Sequence, residues 1–354
     1  MNDSRFADIL ISWYEENKRD LPWRETIDPY RIWLSEIILQ QTRVVQGLPY
    51  YQRFVETFPT VEELAAAEEQ QVLRLWQGLG YYSRARNLHA CAKMIVDDYG
   101  GQFPKSAAEL KKLKGIGDYT AAAIASFSFK EPVPVLDGNV YRVVARYFGI
   151  NANIADTKSK KIFYPVLEEH IPRKRPDMFN QAIMEFGALQ CTPAKPLCMY
   201  CPLKESCYAY QHQQQSELPV KIKNIKVKER WFHYFVFVEK GKVYLKERGK
   251  NDIWQGLHDF YLLENSEQTM DPEQVFSKQQ ISGMVIVDES KVFKHLLTHQ
   301  RIMARFYVIR INDRPPFSEM LDTLSLRDTE EISALPLPKL IDNYLNEVFF
   351  SLAL

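Results

Sequence analysis

The sequence predicts a multidomain protein: an all-α domain over residues 1–209, a linker over 210–228 and a smaller α+β domain over 229–354. Three observations carry that prediction. A chain of 354 residues, 46% hydrophobic and 25% charged, is long enough for two cores of ordinary globular composition. Apolar residues recur at helical spacing up to about residue 190, with Gly and Pro clusters at the stops. Beyond a stretch rich in Gln and Lys, the apolar residues alternate with the period of a strand.

In chain order, helical segments are expected at Tyr30–Gln41, Val61–Leu75, Arg84–Asp98, Thr120–Phe129 and Tyr141–Phe148. Breaks fall at Gly47–Pro49, Gly78–Gly80, Gly100–Pro104 and Gly115–Gly117. Tyr208–Ser216 is rich in Gln, and Pro219–Lys228 carries Lys221, Lys223, Lys226 and Lys228, a composition that reads as linker. Phe232, Tyr234, Val236 and Val238 then alternate, and Gly241 ahead of Val243-Tyr244-Leu245 marks a hairpin. Gly256–Leu263, Gly283–Val287 and Met303–Ile311 read as further strands, Gln274–Lys278 and Leu340–Phe349 as helices.

Net charge is zero, but its distribution is uneven: −4 over residues 1–100, +11 over 101–250 and −7 over 251–354. A basic middle between acidic ends suits a polyanion-facing surface, although a solvated helix face and a charged linker give the same count. No run of about 18 apolar residues occurs, so no membrane-spanning helix is expected. The charged start Met1–Arg5 lacks an apolar signal core, which points to a cytoplasmic location, nucleoid-associated in a bacterium.

Four of the five cysteines, Cys191, Cys198, Cys201 and Cys207, lie within 17 residues. Such clustering in a cytosolic chain argues for metal rather than disulfides. Zinc sites usually pair their ligands closely at both ends; here Cys198 and Cys201 alone form a tight pair, and the wide outer spacings favour an iron–sulfur cluster. Cys91, among Leu88, Ala90 and Met94, reads as a buried inert thiol.

Two carboxylates and a turn stand out. Leu113–Thr120 carries Gly115 and Gly117, whose missing side chains let backbone N–H groups at a helix start approach a phosphate. A plain helix–helix turn would look the same. Asp137, ahead of a helix, reads as an N-cap that the helix dipole keeps ionised. Glu36 has Ile32, Trp33, Leu39 and Gln40 at its helical neighbour positions, so it is partly desolvated and suited to proton donation.

Together these features resemble the helix-hairpin-helix DNA glycosylases that carry an iron–sulfur cluster, and among them the adenine DNA glycosylases of the MutY type. The matching elements are Leu21-Pro22-Trp23-Arg24, Ser35-Glu36 with Leu39–Val44, Gly78–Arg84, the hairpin at 113–120, Leu136–Val140 and the cysteines of the loop at 191–207. The sister endonuclease III family uses a Lys after the hairpin as a Schiff-base nucleophile; this chain has Tyr119 there, which cannot form one. Trp254–Phe260 resembles the nudix-like recognition domain of adenine glycosylases, without the acidic helix of nudix hydrolases.

The resemblance implies removal of adenine mispaired with 8-oxoguanine, or with guanine, from double-stranded DNA by a monomeric enzyme. Glu36 would protonate N7 of a flipped adenine, and Asp137 would stabilise or trap the sugar cation, with Tyr119 and Asn139 assisting. Trp23, Arg24 and Gln181 would line the adenine pocket. Gln41 and Tyr81 would insert into the base stack, with Thr42 on the opposing base. Gly115 and Gly117 would contact the DNA backbone. The cofactors implied are a [4Fe-4S] cluster and a metal ion at the hairpin bridging to a DNA phosphate. The family's Phe-Ser-His reader of the opposing base corresponds to Leu297, Thr298 and His299, so the aromatic wedge is absent. Two rival readings are a pyrimidine-damage glycosylase/lyase, and a non-enzymatic DNA-binding or redox-sensing iron–sulfur protein.

Overall fold

A computed structural model describes residues 4–222, 227–265, 267, 269–278, 284–312 and 319–352. Lys223 and Lys226 of the expected linker and Gly283 of an expected strand lie outside the described residues. The chain divides into two compact units, Met1–Ala66 with Asn87–Asn224, and Ala67–Arg86 with Ile225–Leu354.

The first unit is helical. Its central element is the helix Asp118–Phe129, in which every residue from Thr120 to Phe127 is buried. Four alanines in that run keep its girth small, so neighbouring helices can close on all sides. The helix Pro29–Ile38 packs on it, as does Pro176–Leu189, which also contacts Ser4–Asn17 and Gly138–Phe148. Trp33, Tyr14, Phe54, Phe163, Phe179 and Phe186 fill the spaces between.

Three expected helices shift at their ends by one to three residues, to Ser83–Tyr99, Asp118–Phe129 and Gly138–Phe148, and two others differ more. The expected helix Tyr30–Gln41 is Pro29–Ile38, started by Asp28, whose side chain accepts from Tyr30 N at 3.0 Å. It ends because Leu39 N–H closes back on Ser35 O and Gln41 turns left-handed at φ 55°. The expected helix Val61–Leu75 is two, Val61–Ala66 and Glu69–Trp76, parted where Glu68 is extended. The linker stretch up to residue 222 is also no free tether. Arg146 Nε donates to Leu218 O at 2.8 Å, Ile154 N to Val220 O at 2.9 Å and Ile222 N to Asn153 Oδ1 at 3.0 Å.

The second unit is built on a mixed sheet of eight strands among the described residues: β1 Lys228–Glu239, β2 Lys242–Glu247, β3 His258–Asp259, β4 Tyr261–Asn265, β5 Met284–Glu289, β6 Phe293–Leu296, β7 Gln300–Ile311 and β8 Ser325–Arg327. β1 and β2 form the expected hairpin, Val238 opposite Val243. β1 also runs parallel to β7, Lys228 opposite Gln300 through Val238 opposite Arg310. β1 is buried on both faces from Trp231 to Val238, so its alternation is one between two apolar faces. Phe235, Phe237, Tyr307 and Ile309 pack on one side. On the other, Tyr234 stacks on Phe306 at 5.0 Å and Phe306 on Tyr344 of the helix Lys339–Glu347 at 3.8 Å. The segment Ala67–Arg86 joins this unit through Gln70 Nε2 to Gly256 O at 3.2 Å, Arg86 Nη1 to Gln255 O at 2.8 Å and Leu337 N to Gln77 Oε1 at 3.1 Å.

Candidate active site

In the helical unit a cavity of about 750 Å3 is lined by Trp23, Arg24, Glu36, Gln41, Thr42, Gly115, Gly117, Tyr119, Asp137, Asn139 and Gln181. Segments spanning more than 150 positions of sequence thus meet around one space.

Asp137 caps the helix Gly138–Phe148: one carboxylate oxygen accepts from Val140 N at 2.7 Å, the other from Asn139 Nδ2 at 2.8 Å. Burial nevertheless raises its pKa above the ordinary value, against these hydrogen bonds. The cap therefore does not by itself leave Asp137 an unusually strong acid, as its place at a helix start suggests. Arg142 fixes Asn139 from behind, Nη2 donating to Asn139 Oδ1 at 2.8 Å and to Gly187 O at 2.6 Å, while Nε donates to Cys191 O at 2.7 Å. Gly187 lies so close that an added Cβ would meet Asn139 Cβ at 2.7 Å.

Glu36 is half-buried in the cavity wall. Burial raises its pKa to about 7; the Tyr119 hydroxyl opposes that rise and the Asp137 charge adds to it. Tyr119 is pushed well above its usual value by burial and by both carboxylates, and its hydroxyl donates to Met184 Sδ at 3.3 Å. Around neutrality Glu36 is thus poised between its acid and carboxylate forms.

A second part of the cavity lining is not legible in the sequence as a unit. Glu185, buried, takes Arg24 on both oxygens at 2.9 and 2.7 Å and Arg19 on both at 2.8 and 2.6 Å. Burial alone would raise Glu185, but the hydrogen bonds from Arg19 and Arg24 outweigh it and hold the carboxyl at about 2. Tyr14 OH donates to Gln181 Oε1 at 2.7 Å. The available signal was helical spacing: Met184 and Glu185 follow Gln181 at i+3 and i+4.

Gly115 has φ 77°, and a Cβ there would meet Asn87 Cβ at 2.8 Å, so the hairpin turn needs glycine. Gly117 caps the helix Asp118–Phe129 in extended conformation. Gln41 and Tyr81 are exposed and left-handed at φ 55° and 50°, a strained conformation for such residues. Tyr81, Leu297, Thr298 and His299 do not line the cavity above. They line a separate pocket of about 530 Å3 within the second unit, where the Tyr81 hydroxyl hydrogen-bonds Thr298 Oγ1. Leu297 N donates to Gln300 O at 2.8 Å, closing the turn that carries Thr298 and His299.

Cys191, Cys198, Cys201 and Cys207 are free thiols lining one pocket of the helical unit. Among the described residues no group of three or more His, Cys, Asp or Glu could hold a single metal ion. Burial and the neighbouring cysteines push the Cys198, Cys201 and Cys207 thiols up, Cys201 to about 12, and Arg146 Nη1 donates to Cys191 Sγ at 3.4 Å. Four thiolates here would repel one another unless cationic centres stood between them. Cys91 is fully buried, its thiol also raised to about 12 by burial. No helix among the described residues is long and apolar enough to cross a membrane.

Comparison with known proteins sets this geometry in context. Residues 34–169 match the HhH-GPD superfamily of base excision DNA repair proteins, and residues 233–347 match the NUDIX domain. The adenine DNA glycosylase of Buchnera aphidicola subsp. Acyrthosiphon pisum is 32% identical over 97% of this chain and 99% of its own. The adenine DNA glycosylase of Mus musculus is 42% identical over 60% of this chain and 43% of its own. The structure of a thermostable thymine-DNA glycosylase covers 59% of this chain and 97% of its own, with 29% identity and a TM-score of 0.55. A trapped endonuclease III–DNA covalent intermediate covers 60% and 99%, at 22% identity and a TM-score of 0.52, and shares the fold.

Proposed function

The chain belongs to the adenine DNA glycosylases, base-excision repair enzymes that are adenine-specific DNA N-glycosylases, and on that footing we propose that it removes adenine mispaired with 8-oxoguanine, or with guanine, using Glu36 as acid and Asp137 as the counter-charge to the sugar cation. The observation that carries this reading is the shared cavity in which Glu36 holds its proton up to about pH 7 beside Asp137.

Adenine leaves poorly as an anion. Glu36 gives its proton to N7 of a flipped adenine, the C1′–N9 bond breaks with its electron pair going to the base, and positive charge develops on the sugar. The Asp137 carboxylate, fixed by Val140 N–H and Asn139, faces that charge. Water then adds at C1′, releasing a proton. Tyr119 supports the Glu36 end by its hydroxyl and offers no amine, so no lyase step runs through it. Trp23, Arg24 and Gln181 hold the base, Arg24 kept in place by Glu185. Gln41 and Thr42 meet the duplex at the cavity's rim. Thr298 and His299, with Tyr81 hydrogen-bonded to Thr298, read the opposing base; Leu297 supplies less stacking than an aromatic ring.

A [4Fe-4S] cluster would be held by Cys191, Cys198, Cys201 and Cys207, four thiols that line one pocket and would need cationic centres between them to ionise together. Bound there, it would tie together the loop from 191 to 207. A cation at the hairpin would draw on backbone carbonyls, because Asp118, the acid nearest it in sequence, is already paired with Lys111 and Lys160.

The test is a single-turnover assay on duplex with adenine opposite 8-oxoguanine, with adenine opposite thymine and thymine glycol opposite adenine as controls. Alkali-dependent breaks at the mispaired adenine alone are expected. Alkali-independent breaks at thymine glycol would move the chain to the lyase reading.

A further inference from the structure

Asp118 opens the helix Asp118–Phe129, directly after the two-glycine turn. Its carboxylate takes Lys111 Nζ on one oxygen at 2.6 Å and Lys160 Nζ on the other at 2.9 Å. Lys111 closes the short helix before the hairpin, and Lys160 begins the helix Lys160–His170, so two elements far apart in sequence converge on one acid. All three side chains are about half exposed. Two ammonium groups on one carboxylate leave a surplus of one positive charge.

That surplus sits at a particular place. Asp118 and Lys160 line the catalytic cavity. The same two residues, with Lys111 and Lys161, line a second cavity of about 540 Å3 on the other side of Tyr119. A nucleotide entering the catalytic cavity would bring its flanking phosphates within reach of this shared wall, whose lysines are half exposed. The two oxygens of a carboxylate and the two non-bridging oxygens of a phosphodiester are similarly spaced, so lysines arranged on the first are arranged for the second. The hydrogen bonds from Lys111 and Lys160 hold Asp118 ionised, at about 2, so it occupies the lysines across the physiological range.

We propose that Lys111 and Lys160 form a phosphate clamp for the DNA strand whose nucleotide enters the catalytic cavity, and that Asp118 is a built-in competing anion which the phosphate displaces. This rests on the chain being a DNA glycosylase. It adds a function for Asp118, which limits affinity for DNA and so lets the duplex leave. Each lysine freed from Asp118 neutralises a phosphate and releases counterions, which makes the clamp visible in the salt dependence of binding.

The experiment measures anisotropy of a labelled, undamaged duplex with the full-length protein between 50 and 200 mM salt, together with a duplex carrying an uncleavable abasic analogue. In Lys160→Ala the log–log salt slope is expected to fall by about 0.9, so that a fourfold rise in salt costs about 3.5-fold less affinity than in the wild type. In Asp118→Asn, binding is expected to tighten several-fold with a steeper slope. In Lys111→Ala/Lys160→Ala the Asp118→Asn change is expected to have no further effect. An unchanged slope in a Lys160→Ala protein with wild-type melting would overturn the clamp. Weaker binding in Asp118→Asn would overturn the competing role of Asp118. Because neither duplex is cleaved, the outcome does not depend on adenine opposite 8-oxoguanine being the substrate.

Discussion

Two walls of one cavity carry glutamates of opposite character. Glu36 faces Tyr119 and Asp137, and burial raises it to about 7. Glu185 is held on both oxygens by Arg19 and Arg24, which bring it to about 2. The side chains are chemically identical, so the difference lies wholly in their partners. A carboxyl desolvated beside another acid keeps a proton to give; one desolvated between two guanidinium groups becomes a permanent anion that holds cations in place. On the proposed mechanism the cavity thus has a reacting wall and a holding wall.

The strongest way to break that division is to remove the proton donor or the counter-charge. Glu36→Gln and Asp137→Asn are each expected to lower the single-turnover excision rate by roughly 100- to 10,000-fold while leaving duplex affinity within a few-fold. A near-normal rate in either variant would remove that carboxylate from the mechanism. In the wild type, the rate should fall as pH rises through about 7, because Glu36 must carry its proton. A rate flat from pH 6 to 9 would separate the acid from Glu36.

The holding wall answers through stability. Glu185→Gln leaves Arg19 and Arg24 close together with no neutralising anion. Arg24 is largely buried and Arg19 about one-third exposed. The expected loss is about 3 kcal/mol at neutral pH, read from denaturant melting of the helical unit, with much of it screened at high salt on the Arg19 side. If Glu185→Gln melts as the wild type does, the pair network is not what fixes this wall.

How far the sequence reveals these walls follows from how local each feature is. Asp137 and its helix are one contiguous stretch, and the N-cap is legible because the cap and the N–H it binds are three residues apart. Glu36 is legible as a half-buried acid from its apolar i±3 and i±4 neighbours. Glu185 is not, because its partners lie 161 and 166 positions away. The left-handed backbone at Gln41 and Tyr81 is equally hidden, since no glycine marks it. In the second unit, the alternation of Phe232, Tyr234, Val236 and Val238 does not reveal that Trp231 to Val238 are all buried, because the groups that cover the two faces of the sheet, among them Met320, Leu321 and Tyr344, come from distant segments. The short strands β6 and β8 carry too few residues to show a period. The grouping of Ala67–Arg86 with the sheet depends on contacts to residues 255, 256 and 337, which composition cannot reveal.

The smallest effect is also the one that separates the two glutamates most directly, because their linkage to pH has opposite sign. Glu36 has a folded pKa above its unfolded value of 4.5, so its ionisation opposes folding: the penalty is absent below about pH 4.5, grows as pH rises and is complete above about 7. Glu36→Gln should therefore melt higher than the wild type at pH 8, by roughly 2–4 °C, and no higher at pH 4.5. Glu185 has a folded pKa below 4.5, so its contribution is present above about pH 4.5 and is lost as pH falls through about 2. The deficit of Glu185→Gln should be full at pH 7 and shrink toward pH 2. Melting curves of both variants from pH 2 to pH 8 would then show differences from the wild type of opposite sign, the Glu185→Gln deficit opening between about pH 2 and 4.5 and the Glu36→Gln gain between about pH 4.5 and 7. Parallel pH dependences would mean that the two walls share one electrostatic environment, and the division between reacting and holding sides would have to be given up.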